Sequence, residues 1–76
     1  MKSSKRVRFE KVAAKRVDKV LEGFRLLGNC SNSNNYEYSK EDVELMYEEI
    51  KKALRGSQTR FENELNRSEQ KRFRFK

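Results

Sequence analysis

The 76-residue chain contains no histidine and only one cysteine, Cys30. Histidine is the usual general base near neutral pH, and one cysteine without histidine cannot supply the common zinc ligand sets. The lone thiol also excludes a disulfide within the chain and has no partner that would activate it as a nucleophile. We therefore expect a protein that is not an enzyme, uses no metal or cofactor, and resides in the reducing cytoplasm.

Long apolar runs are also absent. The chain has no stretch of about 18 apolar residues, the length that a membrane-spanning helix requires. Its N-terminus lacks the apolar core of a signal peptide, and Lys2 stands where N-myristoylation requires glycine. We therefore expect neither membrane insertion nor secretion.

Charged residues make up 41% of the chain and apolar residues 34%, a composition that leaves a chain of this length little to bury. Because the apolar positions are periodic, we expect folding that is supported by oligomerisation or by a partner. The net charge of +7 is unevenly distributed, with basic ends and an acidic segment between them at residues 37–54. Basic ends favour a polyanionic partner, because each neutralised phosphate releases condensed counterions.

A first amphipathic helix is predicted over residues 4–27, with Ser3 or Ser4 as N-cap and Gly28 and Asn29 as a left-handed C-cap. Its apolar face comprises Phe9, Ala13, Val17, Val20, Phe24 and Leu27. About half a turn away, a basic stripe comprises Arg8, Lys11, Lys15 and Lys19. The stripe is either a solvated face or a phosphate-binding surface, and the nearby charges of Lys5 and Arg6 strengthen the second interpretation.

A second helix is predicted over residues 40–68, with Ser39 as N-cap and acidic residues in the first turn. Its apolar face comprises Val43, Met46, Tyr47, Ile50, Leu54, Phe61 and Leu65. Gly56 marks a place where the helix would break, although continuity is favoured. Glu48 and Lys52 have the spacing of an i, i+4 ion pair.

The connector over residues 28–39 is longer than the 2–8 residues usual between bundled helices. Its polar residues either cap and turn a helical hairpin or contact a partner. The residues predicted for a partner contact are Asn29, Ser31, Asn32, Asn34, Asn35, Tyr36 and Tyr38.

The C-terminal residues alternate cations with aromatic rings and repeat the pattern of residues 5–9. The two segments are interpreted as paired short strands, as nucleic-acid contacts in which phenylalanine stacks on bases, or as a chance echo in a disordered tail. The predicted nucleic-acid-binding residues are Lys5, Arg6, Arg8, Lys11, Lys15, Lys19, Arg67, Lys71, Arg72, Phe73, Arg74, Phe75 and Lys76.

Three short motifs, LLGNCSN at residues 26–32, NYEYS at 35–39 and EDV at 41–43, form a distinctive pattern. In this pattern, residues 12–62 resemble small bacterial proteins of unknown function that are associated with phages or mobile elements. The resemblance implies a helical hairpin and a bacterial origin, but no activity. The basic ends lie outside it.

Together these features predict an all-α fold, an antiparallel helical hairpin forming one domain over residues 1–76, with basic tails at 1–6 and 69–76. The two apolar faces are expected to bury each other. The favoured function is a small nucleic-acid-binding or nucleoprotein accessory protein without strong sequence specificity. The alternatives are a protein–protein adaptor or inhibitor that docks its apolar helix face on a larger enzyme or nucleoprotein, and a homo-oligomeric bundle.

Overall fold

A computed structural model describes residues 2–70, with the side chains of residues 2–68. These residues form two α-helices, α1 (Ser4–Asn29) and α2 (Lys40–Gln70). The described part of the chain has no strand, which confirms the predicted all-α class of two helices joined by a loop. The chain divides into two units, residues 1–37 with α1 and residues 38–76 with α2.

Helix α1 begins where its capping chemistry predicts. Ser3 is extended, with φ −69° and ψ 160°, and its hydroxyl oxygen accepts a 3.0 Å hydrogen bond from the Arg6 N–H. The Ser3 carbonyl accepts another from the Val7 N–H at 3.0 Å. Residues 4–6, which were also assigned to a basic tail, therefore form the first turn of the helix, and residues 5–9 are helical rather than a short strand.

The end of α1 corrects the prediction. The helix continues through Gly28 and Asn29, and no described residue has a positive φ, so there is no left-handed cap. Instead, the N–H groups of Cys30 and Ser31 bond to the carbonyls three residues earlier, at 2.9 and 3.1 Å. This tighter 3₁₀-type pattern satisfies terminal carbonyls without a left-handed residue, so the glycine is not needed as a cap.

Helix α2 begins with a reciprocal cap. The Asp42 N–H donates to the Ser39 hydroxyl oxygen at 3.1 Å, and the Ser39 N–H donates to the Asp42 carboxylate at 2.9 Å. The pair makes both hydrogen bonds of a capping box, although aspartate is shorter than the usual glutamate. Glu41 and Asp42 also place negative charge in the first turn, where the helix dipole favours it.

Helix α2 passes through Gly56 without a break, as favoured from the sequence, and extends two residues beyond the predicted end. The Ser57 hydroxyl donates to the Leu54 carbonyl at 2.9 Å, so its polar group is satisfied within the helix. A single glycine inside a helix lowers helix stability by about 1 kcal/mol relative to alanine. This cost does not interrupt the 31-residue helix α2.

The mutual burial of the two apolar faces stays a prediction, and the apolar side chains of each helix are at least partly exposed. No described side chain is buried, and the exposed fractions of Val20, Phe24 and Leu54 are 57%, 42% and 55%. Leu27, Val43 and Ile50 are half-buried. Periodicity identifies the apolar face of a helix, but it does not specify the surface against which that face packs.

Candidate nucleic-acid interface

The basic stripe of Arg8, Lys11, Lys15 and Lys19 lies entirely within α1. Spacings of 3, 4 and 4 residues place the four side chains along one face over about 16 Å of the helix axis. All four are exposed, and none forms an ion pair with a carboxylate of the described residues. The stripe is therefore a row of solvent-accessible positive charges, the arrangement that a phosphate backbone requires.

The first turn of α1 carries further cations, at the end of the helix where the helix dipole disfavours positive charge. It contains Lys5 and Arg6 and no acidic residue. Because the N-terminal end of a helix dipole is positive, cations there cost a few tenths of a kcal/mol or more. Lys5, which has no ion pair within the described residues, extends the positive surface at this cost.

The carboxylate of Glu10 forms ion pairs with two of the cations near the start of α1, Lys2 and Arg6. The Lys2 ammonium contacts Glu10 Oε1 at 2.8 Å, and Arg6 Nε donates to Glu10 Oε2 at 3.0 Å. The hydrogen bond from Lys2 is the main cause that lowers the pKa of Glu10. Desolvation opposes this shift, and the charge and hydrogen bond of Arg6 lower the pKa further. The Arg6 guanidinium also lies 5.6 Å from the centre of the Phe9 ring. Arg6 is therefore oriented by neighbours, unlike the cations of the stripe.

The second half of α1 has a weaker positive surface. Glu22 is paired with Arg25 through two hydrogen bonds, one of them 3.0 Å from Nε to Oε1. This pairing lowers the pKa of Glu22 and raises that of Arg25. A phosphate ligand would therefore meet accessible positive charge mainly between Lys5 and Lys19.

Only one of the C-terminal predictions lies in the described part of the chain. Arg67 contacts Glu64 at 3.1 Å, so its charge is shared with a carboxylate. The remaining predicted residues lie outside the described residues, namely Lys71, Arg72, Phe73, Arg74, Phe75 and Lys76.

Some polar groups of the connector form hydrogen bonds within the connector itself. The Asn32 side-chain oxygen accepts from the Asn34 N–H at 3.0 Å, and the Asn32 carbonyl accepts from the N–H groups of Asn35 and Tyr36 at 3.1 and 3.0 Å. Asn32 therefore organises a turn, as the structural interpretation predicts. The exposed side chains of this segment include Ser31, Asn34, Asn35, Tyr36 and Tyr38, whereas Asn29 belongs to α1.

The acidic first half of α2 shows no metal-binding geometry. No group of three potential metal ligands is brought together among the described residues. Lys52 pairs with Glu49 at 3.3 Å, and not with Glu48 as its spacing predicts. The i, i+3 and i, i+4 neighbours compete for one flexible ammonium, and spacing alone does not decide between them.

Sequence reasoning missed two features of the described chain. The contact of Lys2 and Arg6 with Glu10 was not predicted, although the i, i+4 spacing of Arg6 and Glu10 is a signal for it. The return hydrogen bond from the Ser39 N–H to Asp42 was also missed, because aspartate is not the usual residue at that position.

Comparisons of the chain with protein-family models, curated proteins and solved structures found no match. Within the described residues, neither helix is long and apolar enough to span a membrane.

Proposed function

We propose that this chain is a small cytoplasmic nucleic-acid-binding or nucleoprotein accessory protein. The observation that supports the proposal is the row of four exposed cations on α1, none of them ion-paired within the described residues. Lys5, Arg6 and the basic C-terminal residues extend this positive charge along the chain. Because lysine and arginine on one face reach phosphates rather than base edges, binding is expected to depend little on nucleotide sequence.

The proposal predicts a characteristic salt dependence. Four phosphate contacts on duplex DNA give a slope of about −3.6 in a plot of log K against log salt concentration. Binding should be measured by gel shift or fluorescence anisotropy with duplex DNA, single-stranded DNA and RNA at several salt concentrations. Absence of binding to all three at low salt would exclude the proposal.

A matched pair of variants assigns the binding to α1. Lys11→Gln/Lys15→Gln removes two cations of the stripe, and Lys51→Gln/Arg55→Gln removes two exposed cations with the same spacing on α2. Both variants have the same net charge, so a general charge effect would affect them equally. We expect the α1 variant to reduce the salt slope by about two and the α2 variant to change it much less. Equal losses would show that α1 is not the interface.

The exposed apolar face of α1 favours a second candidate function, a protein–protein adaptor or inhibitor. Val17, Val20 and Phe24 expose between 42% and 57% of their surface, and this face lies opposite the basic stripe. Such a face fits the groove of a larger enzyme or nucleoprotein, as amphipathic helices commonly do. Recovery of one stoichiometric protein partner after nuclease treatment, with loss of that partner in Val20→Asp but not in Lys15→Gln, would favour the adaptor.

A further inference from the structure

The unpaired cations in the first half of α1 occupy a broad sector of the helix surface. At about 100° per residue, Lys11 and Arg16 lie about 140° apart around the helix axis, and the other cations of the sector lie between them. All of them are exposed, and none forms an ion pair within the described residues. This basic sector comprises Lys5, Arg8, Lys11, Lys15, Arg16 and Lys19. It therefore contains the basic stripe and adds a second edge, formed by Lys5 and Arg16.

No carboxylate lies inside the basic sector. Within residues 5–19 the acidic residues are Glu10 and Asp18. Glu10 projects about 120° beyond the Arg16 edge and is paired with Lys2 and Arg6, while Asp18 projects about 20° beyond the Lys11 edge. An anionic ligand in contact with the whole sector would therefore face cations from one edge to the other.

The basic sector also contains no aromatic ring. The only uncharged side chain within it over residues 5–19 is Val12, which is 39% exposed. Phe9 projects about 90° from the centre of the sector, and the Arg6 guanidinium lies over its ring at 5.6 Å from the ring centre. Proteins that bind single strands commonly use aromatic side chains on which successive bases stack. The sector therefore lacks the stacking surface that favours a single-stranded ligand.

The dimensions of the basic sector match a groove of duplex DNA. Residues 5–19 extend over about 21 Å of the helix axis, and a helix with its side chains is about 10–12 Å across. The major groove of B-form DNA is about 12 Å wide and admits an α-helix, whereas the major groove of A-form RNA is too deep and narrow for side chains to read. In the DNA groove, the two edges of the sector face phosphates of opposite strands. A single strand offers one row of phosphates and would leave one edge unused.

We propose that α1 binds in the major groove of double-stranded DNA, with Lys11 directed towards the phosphates of one strand and Lys5 and Arg16 towards those of the other. The inference rests on the proposed nucleic-acid binding, and it adds the substrate class and the orientation of the helix. Phosphate contacts carry no sequence information, so this docking agrees with a weak dependence on nucleotide sequence.

Titrations with nucleic acids of the same sequence test the substrate class. Fluorescence anisotropy measures the affinity of the full chain for duplex DNA, duplex RNA and single-stranded DNA at one salt concentration. We expect duplex DNA to bind at least about tenfold more tightly than the other two. Equal or tighter binding of single-stranded DNA or duplex RNA would overturn this inference and leave nucleic-acid binding intact. Absence of binding to all three would instead overturn the proposed function, and this inference with it.

A matched pair of variants tests the two edges of the sector. Lys11→Gln/Arg16→Gln removes one cation from each edge, and Lys51→Gln/Arg55→Gln removes one exposed lysine and one exposed arginine from α2. We expect the α1 variant to weaken binding to duplex DNA by about tenfold and binding to single-stranded DNA by much less. The α2 variant should affect both ligands weakly and equally, and circular dichroism monitors the helix content of both proteins. Equal losses for the two ligands in the α1 variant would overturn the proposal.

Chemical footprinting tests the groove. Dimethyl sulfate methylates guanine at N7, which lies in the major groove, and adenine at N3, which lies in the minor groove. On duplex DNA saturated with the protein, we expect a loss of guanine N7 methylation and no change at adenine N3. Protection of adenine N3, or of neither position by a protein that is bound, would overturn the proposal.

Discussion

The Ser39 hydroxyl and the Asp42 carboxylate exchange hydrogen bonds with each other's N–H groups at the start of α2. We predict that Ser39→Ala lowers the free energy of unfolding by about 1 kcal/mol, because an N–H of the first turn loses its partner. Thermal unfolding should show the loss, and amide hydrogen exchange should accelerate at Asp42. Ser33→Ala, in the connector, serves as the control. Equal effects of the two substitutions would contradict the role of the cap.

Gly56 lies inside α2, and a Cβ atom built there meets nothing within 4 Å. We predict that Gly56→Ala raises the free energy of unfolding by about 0.5–1 kcal/mol, because alanine loses less backbone entropy in a helix. Gly23→Ala, which is equally unobstructed in α1, should give a similar gain. If Gly56→Ala alone were destabilising, a partner surface would have to pack against this position.

The carboxyl of Glu10 has a pKa below its ordinary value of 4.5, mainly because Lys2 bonds to its charged form. A lowered folded-state pKa means that the contact contributes stability above pH 4.5 and that the contribution is lost as the pH falls through the lower folded-state value. We predict that carboxyl NMR titration gives Glu10 a pKa below 4.5. Lys2→Ala should raise the Glu10 pKa, and an unchanged value would contradict the contact.

At the scale of the element, the two helices differ in how their charges match their dipoles. Helix α2 has Glu41 and Asp42 in its first turn and Arg67 in its last turn, whereas α1 has no acidic residue in its first turn and no basic residue in its last. Lys5 and Arg6 therefore place positive charge at the positive end of the α1 helix dipole, which is locally unfavourable. Such a conflict between local stability and charge placement is typical of functional surfaces.

This conflict predicts opposite effects of one substitution. Lys5→Glu should stabilise α1 by about 0.3–1 kcal/mol, because it places a carboxylate at the positive end of the helix dipole. The same substitution should weaken nucleic-acid binding, because it removes a cation and adds a negative charge beside the stripe. Thermal unfolding and anisotropy titrations measure the two effects. A variant that is stabilised and binds with unchanged affinity would show that Lys5 lies outside the interface.

Local rules predicted most of the element structure. The spacing of the apolar residues indicated both helices, and Ser39 indicated the start of α2. The apolar pattern continues beyond Gly56, so it correctly predicted a continuous helix there. The end of α1 was predicted wrongly because glycine permits a left-handed cap without requiring one. The predicted pairing of Lys52 with Glu48 was also wrong, because two carboxylates lie within reach of one flexible side chain and Lys52 contacts Glu49 instead.

At the scale of the whole molecule, stability should depend on association. No described side chain is buried, so the free energy that offsets chain entropy must come partly from a further surface. We predict that the thermal midpoint, followed by circular dichroism, rises with chain concentration, because association favours the folded state by mass action. Leu54→Lys should reduce this dependence. A midpoint that is independent of concentration would contradict self-association.

The sequence by itself determined the all-α class, the position of the helices and the faces on which apolar and basic residues lie. These features follow from the 3.6-residue period and from capping groups that act over three or four residues. Only the three-dimensional structure decided that α1 ends in a 3₁₀-type turn and that Glu10 forms ion pairs with Lys2 and Arg6. Both outcomes depend on the local geometry of backbone and side chains, which the periodicity of the sequence does not specify.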